Sequence, residues 1–435
     1  MNKKIFLWVL FFFTAVAYAE EYSFDVDEYE EKSYEFNGNI RLNSIFIYNN
    51  RNSKLFILKY YNRERDDYSL MYYIRPELFL KYNYDKISFN CGGNLNLYNI
   101  DNEWDNKETL YECNLNYSPE NFSIDIGKKN LIWGKGYIWN PVSYAGRQKN
   151  VDDIDAALEG YYLLNLKWVK SFESCLSNIA INFVILPSYN KFNEDFDNIY
   201  TDYEDLGYEN NYYETTHFIT KLYGLLFNTD IGFYLLLNHR NSNKAGIDFS
   251  KNLLTSWEIH FEYSYENRYT QYYMDESGAV ENKTRQNNNF LAGTRYLTDN
   301  EITFILEYLH NSGGLTKDQS DIFYNQIEFS LNNGTAVSYY KKNSLYLNRQ
   351  FVSKDYIYFK AIRPQPFDIL YFTPSFYSVF NFTDRSQIST IEFKYTGITD
   401  FEFILKGSFL SGSSLTQYSE KVSRQKYNFQ LRYYF

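Results

Sequence analysis

The sequence has few cysteines, no basic excess and no long apolar segment in its interior. Only 3 Cys occur in 435 residues, too few and odd in number for a secreted disulfide scaffold. Beyond residue 19, no run of about 18 apolar residues occurs, which excludes a transmembrane helix there. The formal net charge of −11 predicts no nucleic-acid partner, because such binding depends on basic patches. No Pro/Ser/Gly-rich linker divides the chain, so we expect one domain.

Sequence patterns of catalytic and metal-binding sites are also missing. The chain contains no H-E-x-x-H, G-x-S-x-G, P-loop or C-x-x-C pattern, the spacings that zinc, nucleophile and phosphate sites require. The acidic run 152–155 lacks the glycine and the distant glutamate of a calcium loop. We therefore expect a protein that is not an enzyme, with no cofactor and no metal.

The N-terminus has the three parts of a secretory signal peptide. Lys3 and Lys4 precede an apolar run at 5–16, and Ala-Tyr-Ala at 17–19 supplies a small-residue cleavage site. We expect cleavage after residue 19, followed by a short acidic periplasmic leader at 20–37.

Aromatic residues are unusually abundant and alternate with polar ones. The chain has 47 Tyr and 37 Phe, yet its mean hydropathy is −0.51. In WEIHFEYSY, residues 257–265, every odd position is apolar or aromatic and every even one is polar. Period 2 predicts strands with one apolar and one wet face, and many such strands are typical of a membrane β-barrel.

The connections between these strands alternate in length. Short ones are predicted at 228–230, 298–300, 332–334 and 397–399, and long ones at 128–156, 188–216, 267–287, 311–321 and 411–422. Membrane barrels have short periplasmic turns and longer extracellular loops. We predict an all-β fold, a transmembrane antiparallel up-and-down barrel over 38–435 with about 18–20 strands (range roughly 16–22).

The last nine residues, YNFQLRYYF, alternate down to the final side chain. Its apolar positions are Tyr427, Phe429, Leu431, Tyr433 and Phe435. In lipid an unpaired strand edge is prohibitively costly, so we expect this strand to pair with the first. The pattern resembles the C-terminal assembly signal of bacterial outer-membrane barrels, which implies the barrel-assembly machinery as a partner.

Three longer stretches resemble sequence blocks of an uncharacterised porin-like outer-membrane family of Gram-negative bacteria. They are GKKNLIWGKGYIWNP, AGTRYLTDNEITFILEYLHNSGG and PFDILYFTPSFYSVFNFTDRS. The resemblance implies a barrel in the cell outer membrane and assigns no substrate.

Loop 128–156 is the main candidate for a functional site. Its dense aromatic residues are unsuited to exposure, so we predict that it folds inward and constricts the pore, with aromatic faces available to stack on a flat solute. A structural plug or an interfacial belt is the alternative. Opposite charges across such a constriction would order water and filter solutes. The predicted constriction residues are Lys128, Lys129, Trp133, Lys135, Tyr137, Trp139, Arg147, Lys149, Asp152, Asp153 and Asp155.

Successive side chains of a strand point to opposite faces, so a residue's odd or even position (its parity) predicts whether it faces the lumen. This parity identifies further side chains on the inner wall. The predicted lumen wall includes Arg75, Glu77, Lys81, Glu258, His260 and Glu262. The same parity turns Cys91 and Cys113 toward lipid on neighbouring strands. A cross-strand disulfide is possible there, but its geometry is demanding, and we favour free thiols.

A wet lumen with a constriction indicates passive diffusion of small polar solutes. The surrounding partners would be outer-membrane lipid and lipopolysaccharide. The acidic run 194–209 is most simply a solvated loop. The alternative is that it holds divalent cations that also bridge lipopolysaccharide. Two alternatives stay open. One is an outer-membrane hydrolase with a rim active site, for which His310 beside Ser312 is the best candidate pair. The other is a structural or adhesive barrel with a closed lumen.

Overall fold

The computed structural model of this chain is a closed antiparallel β-barrel of 18 strands within the residues it describes. Those residues are 33–61, 66–100, 103–149, 158–189, 192–193, 196, 214–238, 242–277, 280–335 and 352–435. Each strand pairs with the next along the chain and the last pairs with the first. The predicted all-β barrel is therefore confirmed, while the predicted signal peptide lies outside the described residues.

The strands are β1 (Tyr34–Asn49), β2 (Tyr68–Tyr84), β3 (Ile87–Ile100), β4 (Glu103–Tyr117), β5 (Phe122–Lys129), β6 (Tyr161–Ser171), β7 (Leu176–Ser188), β8 (Thr215–Leu226), β9 (Thr229–Asn238), β10 (Lys244–Leu254), β11 (Trp257–Met274), β12 (Val280–Leu297), β13 (Thr303–Asn311), β14 (Asp355–Ile362), β15 (Phe372–Asn381), β16 (Ser386–Ile398), β17 (Phe401–Ser411) and β18 (Ser423–Tyr434). Two helices are α1 (Lys54–Lys59) and α2 (Lys317–Asn332). In the described part of the chain, no helix has the length and apolar character needed to cross a membrane. Because β1 begins at Tyr34, the predicted leader 20–37 overlaps the first strand.

Connections at the two ends of the barrel differ in length. Those at one end are all short, at 85–86, 118–121, 172–175, 227–228, 255–256, 298–302, 363–371 and 399–400. The other end carries the long ones, among them 50–67, 130–160, 189–214 and 312–354. We call the end with the short turns periplasmic and the other extracellular, as in membrane barrels of this type.

One predicted loop is largely strand. β11 continues to Met274 and β12 resumes at Val280, so most of the predicted loop 267–287 is a β-hairpin. Each of these strands has 18 residues, whereas a membrane requires about 9–11. The hairpin therefore projects beyond the membrane on the extracellular side.

The prediction of a short turn between two strands at 332–334 is wrong, because these residues lie at the C-terminal end of α2. The Thr316 hydroxyl accepts from the Gln319 N–H, and the Gln319 side chain accepts from the Thr316 N–H. This capping box starts a helix, and Phe323 and Ile327 bury the same face of it four residues apart.

The two helices form a cap at the extracellular end. Apolar side chains from both helices pack with Met274 of β11, and the Lys54 ammonium lies 2.9 Å from the Glu328 carboxylate. The packed side chains are Leu55, Leu58, Phe323, Tyr324 and Ile327. α1 follows β1 and α2 follows β13, and the strands β14–β18 lie between these two positions on the barrel wall. The two helices can therefore meet only by crossing part of the barrel opening.

The two strand cysteines face each other on the outside. Cys91 and Cys113 are paired positions of β3 and β4 and both are free thiols. Their side of β4 also carries Leu115, which is 45 % exposed. This is the lipid-facing placement that parity predicted.

β18 closes the barrel against β1. Leu431 pairs with Leu42, and Phe435 exchanges two backbone hydrogen bonds with Gly38, of 3.0 and 3.1 Å. Leu42 and Phe429 remain on the outer surface, 42 % and 50 % exposed. The alternating terminal strand therefore presents its apolar side outward, as its sequence predicts.

Deleting Phe435 is expected to weaken this closure. Two backbone hydrogen bonds disappear at a lipid-facing seam, where each unmade bond costs about 1–3 kcal/mol. We expect a lower urea midpoint and a smaller fraction of heat-modifiable, SDS-resistant protein. Phe435→Ala keeps both backbone hydrogen bonds, so its urea midpoint and SDS-resistant fraction should fall less. An equal fall in both variants would assign the effect to the phenyl ring instead.

Candidate functional site: an inward loop in the barrel lumen

Residues 130–149, here called the inward loop, leave the end of β5 and pack inside the barrel. Trp133 and Trp139 are each 5 % exposed, and Val142 is fully buried. The beginning and the end of the loop pack on lumen-facing side chains of β6–β9, and the Ile138–Trp139 part between them packs on those of β12–β16. Burial of this apolar surface holds the loop against one side of the wall.

A wall carboxylate, Glu262 of β11, binds the loop backbone. It accepts the N–H groups of Lys135 at 2.5 Å and Gly136 at 2.8 Å, and that of Val142 at 3.3 Å. The Asn140 amide donates to it at 3.2 Å. Glu262 is 0 % exposed, so these donors compensate for its loss of water.

A second buried carboxylate, Glu307 of β13, holds the next turn of the loop. It accepts the backbone N–H groups of Tyr137 and Ile138, the latter at 3.1 Å. His260 Nε2 lies 3.1 Å from the same carboxylate. The two glutamates therefore fix four successive N–H groups, from Lys135 to Ile138.

The tip of the inward loop reaches the periplasmic ends of the strands. The Lys135 ammonium lies 3.6 Å from Asp230, the second residue of β9. The Tyr137 hydroxyl donates to Glu258 at 2.9 Å and lies 3.4 Å from the Arg295 guanidinium. Burial raises the pKa of Tyr137, so its hydroxyl keeps the proton that it donates. The loop thus extends through most of the depth of the lumen.

Two glycines allow close approaches of the loop backbone, one to Glu262 and one to another part of the loop itself. Gly134 has φ +98°, a conformation that favours glycine, and a Cβ there would lie 2.6 Å from Glu262 Oε1. A Cβ on Gly136 would lie 1.9 Å from the carbonyl oxygen of Trp139.

Gly136→Ala is expected to destabilise the inward loop by about 1–3 kcal/mol, the usual cost of overpacking. The methyl group must displace the Trp139 backbone, so the urea midpoint should fall. Gly224→Ala is the control, because its Cβ would meet nothing closer than 3.8 Å. Equal urea midpoints for the two variants would contradict the close approach of Gly136 to the Trp139 carbonyl.

The loop tryptophans are anchors with covered faces. Trp133 lies 5.8 Å from the Tyr234 ring, and the Lys221 ammonium lies 5.6 Å from its centroid. Trp139 packs on Tyr356 and Tyr358, each at 6.3 Å between centroids. Their burial corrects the expectation that these rings are available to stack on a solute.

The basic residues of the predicted constriction differ in position. Lys149 donates to the Tyr137 carbonyl at 2.8 Å, and Arg147 donates to the Glu159 carbonyl at 3.0 Å. Lys129 faces the lumen and pairs with Asp125. Lys128 points the other way and pairs with Glu159 at the rim, so it is not in the lumen. Asp152, Asp153 and Asp155 lie outside the described residues.

The wall opposite the inward loop is polar; we call the lumen face of β17, β18 and β1–β4 the polar wall. One row of directly paired positions crosses four of its strands: Glu402, Arg432, Arg41 and Arg75. The Arg432 guanidinium lies 3.1 Å from the Glu402 carboxylate. Glu77, 3 % exposed, lies 3.5 Å from the Arg41 guanidinium. Charges of both signs therefore line this side.

Solved structures with a similar fold are porins of Pseudomonas aeruginosa. OccK5 (OpdH) matches with a TM-score of 0.52 at 9% identity, over 92% of this chain and 98% of that one. OccK7 (OpdD) matches with a TM-score of 0.50, also at 9% identity and over 92% and 98% of the two chains. This chain has a porin fold. No protein-family model matches the sequence, and a search of curated proteins finds no match either.

Within the porin fold, the predicted lumen-wall residues all lie on the inner face. Arg75 donates to the Asn96 side chain at 3.2 Å, and Lys81 pairs with Glu35 at 2.9 Å near the periplasmic end. The other four contact charged partners or the inward loop, as described above. Glu258, His260 and Glu262 thus support the loop rather than an open wall.

The proposed hydrolytic pair at the rim of the porin fold is not brought together. His310 Nδ1 lies 2.7 Å from Asp355, whose carboxylate also accepts from the Tyr308 hydroxyl at 2.6 Å. The Ser312 hydroxyl instead donates to Asn287 Oδ1 at 2.7 Å. A nucleophile needs its hydroxyl on the base, and here that hydroxyl is engaged elsewhere.

One important site residue was not predicted from the sequence. Glu307 lies opposite the apolar face of β13, between Leu306 and Tyr308, and is 0 % exposed. The parity that identified Glu262 on β11 would have identified it too. Its role as a loop anchor had no sequence signal, because its partners lie about 170 residues earlier.

Proposed function

We propose that this protein is an outer-membrane channel for passive diffusion of small hydrophilic solutes. The closed barrel supplies the outer apolar surface that a membrane requires, and its porin fold is one used by channels. The inward loop occupies one side of the lumen, and the polar wall faces it. The path proposed for solutes runs between these two surfaces.

The observation that carries this proposal is the fixed position of the inward loop. A segment tied to the wall by Glu262 and Glu307 cannot fluctuate freely across the lumen, so it defines a constant narrowest passage. Across the passage, the guanidinium groups of Arg75 and Arg432 offer donors to a solute that sheds part of its hydration shell. Arg41, between them in the row, is 4 % exposed and is held by Glu77. The protein would provide a wet path, a size limit and a local field, without bond chemistry.

Single-channel recording in planar bilayers tests this function. We expect stable, ohmic conductance that falls in the presence of solutes large enough to fill the passage. A panel of sugars and salts would give the size limit and the ion preference. Absence of conductance from correctly folded protein would refute the proposal.

The extracellular cap favours a second candidate, a barrel whose lumen is closed from outside. α1 and α2 cross part of the opening and are joined by an apolar cluster. A closed structural barrel predicts no conductance in the native chain and the appearance of conductance after removal of 317–332. A channel predicts conductance in both proteins.

A further inference from the structure

The longest periplasmic turn, residues 363–371, carries an unusual set of exposed apolar side chains. Phe367 is 85 % exposed, Leu370 61 %, Tyr371 55 % and Ile369 49 %. The turns 85–86 and 118–121 of the same rim are shorter and polar, and the turns 172–175 and 227–228 each expose a single aromatic ring. A contiguous apolar surface of this kind marks a contact with a partner or a membrane.

The backbone of this turn holds those side chains outward at a conformational cost. Gln365, Phe367, Asp368 and Tyr371 have φ between +48° and +63°, a region that costs a non-glycine residue about 1–3 kcal/mol. The Tyr371 carbonyl is fixed by the Thr396 N–H at 3.1 Å. Such strain persists only where surrounding contacts impose it.

The turn lies on the lipid side of the rim. Arg363 follows Phe359 and Ala361 on the outward face of β14, since Tyr356 and Tyr358 on the other face are buried in the lumen. The Arg363 guanidinium lies 5.7 Å from the centroid of the Phe367 ring. Phe367 therefore continues the outward face of the strand.

Strand length gives the reason for an apolar turn in this sector. β13, β14 and β15 have 9, 8 and 10 residues. At about 3.3 Å per residue and a tilt of roughly 40°, β14 spans only about 20 Å of height, against an apolar band of about 25 Å. The extracellular end of β14 is already polar, because Asp355 binds Tyr308 and His310 there. The missing apolar height thus lies at the periplasmic end.

We propose that residues 363–371 insert into the periplasmic phospholipid leaflet and complete the apolar band below the short strands. Phe367, Ile369 and Leu370 enter the acyl-chain boundary. Arg363 begins at the end of β14 and extends its guanidinium along the Phe367 ring toward the lipid phosphates, whose oxygens a guanidinium binds. The turn anchors the barrel at a fixed depth in this sector. The occupant of the apolar surface is lipid, because the surface is continuous with the lipid-facing wall.

A fluorescent probe at position 367 tests this insertion. Phe367→Cys, in the full chain with Cys91→Ala, Cys113→Ala and Cys175→Ser, is labelled with an environment-sensitive dye. The protein is reconstituted in phosphatidylethanolamine–phosphatidylglycerol vesicles. We expect blue-shifted emission that is quenched by brominated acyl chains and protected from aqueous iodide. The control, Asp85→Cys in the exposed β2–β3 turn of the same rim, should be quenched by iodide and not by the brominated lipid.

Three outcomes would overturn the proposal. Iodide quenching at 367 equal to that at 85 would place the turn in water. Protection that disappears when the lipid-to-protein ratio is raised would assign the surface to a second copy of the chain. Protection from both quenchers at every ratio would place the ring against protein. If the chain without cysteines fails to fold, Phe367→Trp in the native chain gives the same readout, as added fluorescence that brominated lipid quenches.

Discussion

Replacing residues 131–158 with a short glycine- and serine-rich turn is expected to raise single-channel conductance by roughly twofold or more. Pore conductance is set by the narrowest section, and this change removes the segment that occupies one side of the lumen. A short link suffices because Lys129 and Tyr161, the strand ends on either side, are paired neighbours. The measurement is conductance in planar bilayers under identical salt conditions.

Heat-modifiability on SDS gels is the folding control for this variant. A folded barrel with unchanged conductance would show that the inward loop does not limit the passage. Larger sugars should also pass in liposome-swelling assays, since the size limit depends on the same section.

Replacing both loop-binding glutamates is expected to free the loop without removing it. In Glu262→Ala/Glu307→Ala, the backbone N–H groups from Lys135 to Ile138 lose their acceptors, and each buried unpaired donor costs about 1–3 kcal/mol. The loop should leave the wall, which gives noisy, fluctuating conductance. Trypsin should then cut at Lys135, a residue whose backbone is tied down in the native protein.

Glu392→Ala is the matched control for the double variant. Glu392 is also a lumen-facing carboxylate, but it pairs with Lys406 at 3.0 Å, away from the inward loop. It should leave the noise and the protease pattern unchanged. Equal behaviour of the two proteins would mean that burial of the tryptophans alone holds the loop.

Alternation along the strands was enough to predict most of the barrel. The register of β11 places Glu258, His260 and Glu262 inward, and that of β18 places Arg432 inward and Phe429 outward. These predictions succeed because each strand has one face in lipid and one in the lumen, so a side chain's position depends only on parity. Parity says nothing about what covers the inner face.

The remaining features depend on contacts that are distant in sequence. Glu262 was predicted as a wetted wall residue and Glu307 was not predicted at all, and only the fold shows that each binds the backbone of the inward loop. α2 was missed because its second half, 327–331, also alternates between apolar and polar residues, whereas the capping box at Thr316 favours a helix. In the same way, the covered faces of Trp133 and Trp139 are set by wall residues far along the chain.

The order of the chain constrains how this barrel matures. The loop follows the fifth strand, yet its acceptors belong to the eleventh and thirteenth, 120–170 residues later. Until β11, β13 and β14 are in place, the loop lacks its two carboxylate acceptors and Trp139 lacks the Tyr356 and Tyr358 rings that cover it. The inward loop can therefore be fully packed only late in assembly, after more than half of the strands are in place. An assembly intermediate arrested before that point would have a lumen without the packed loop.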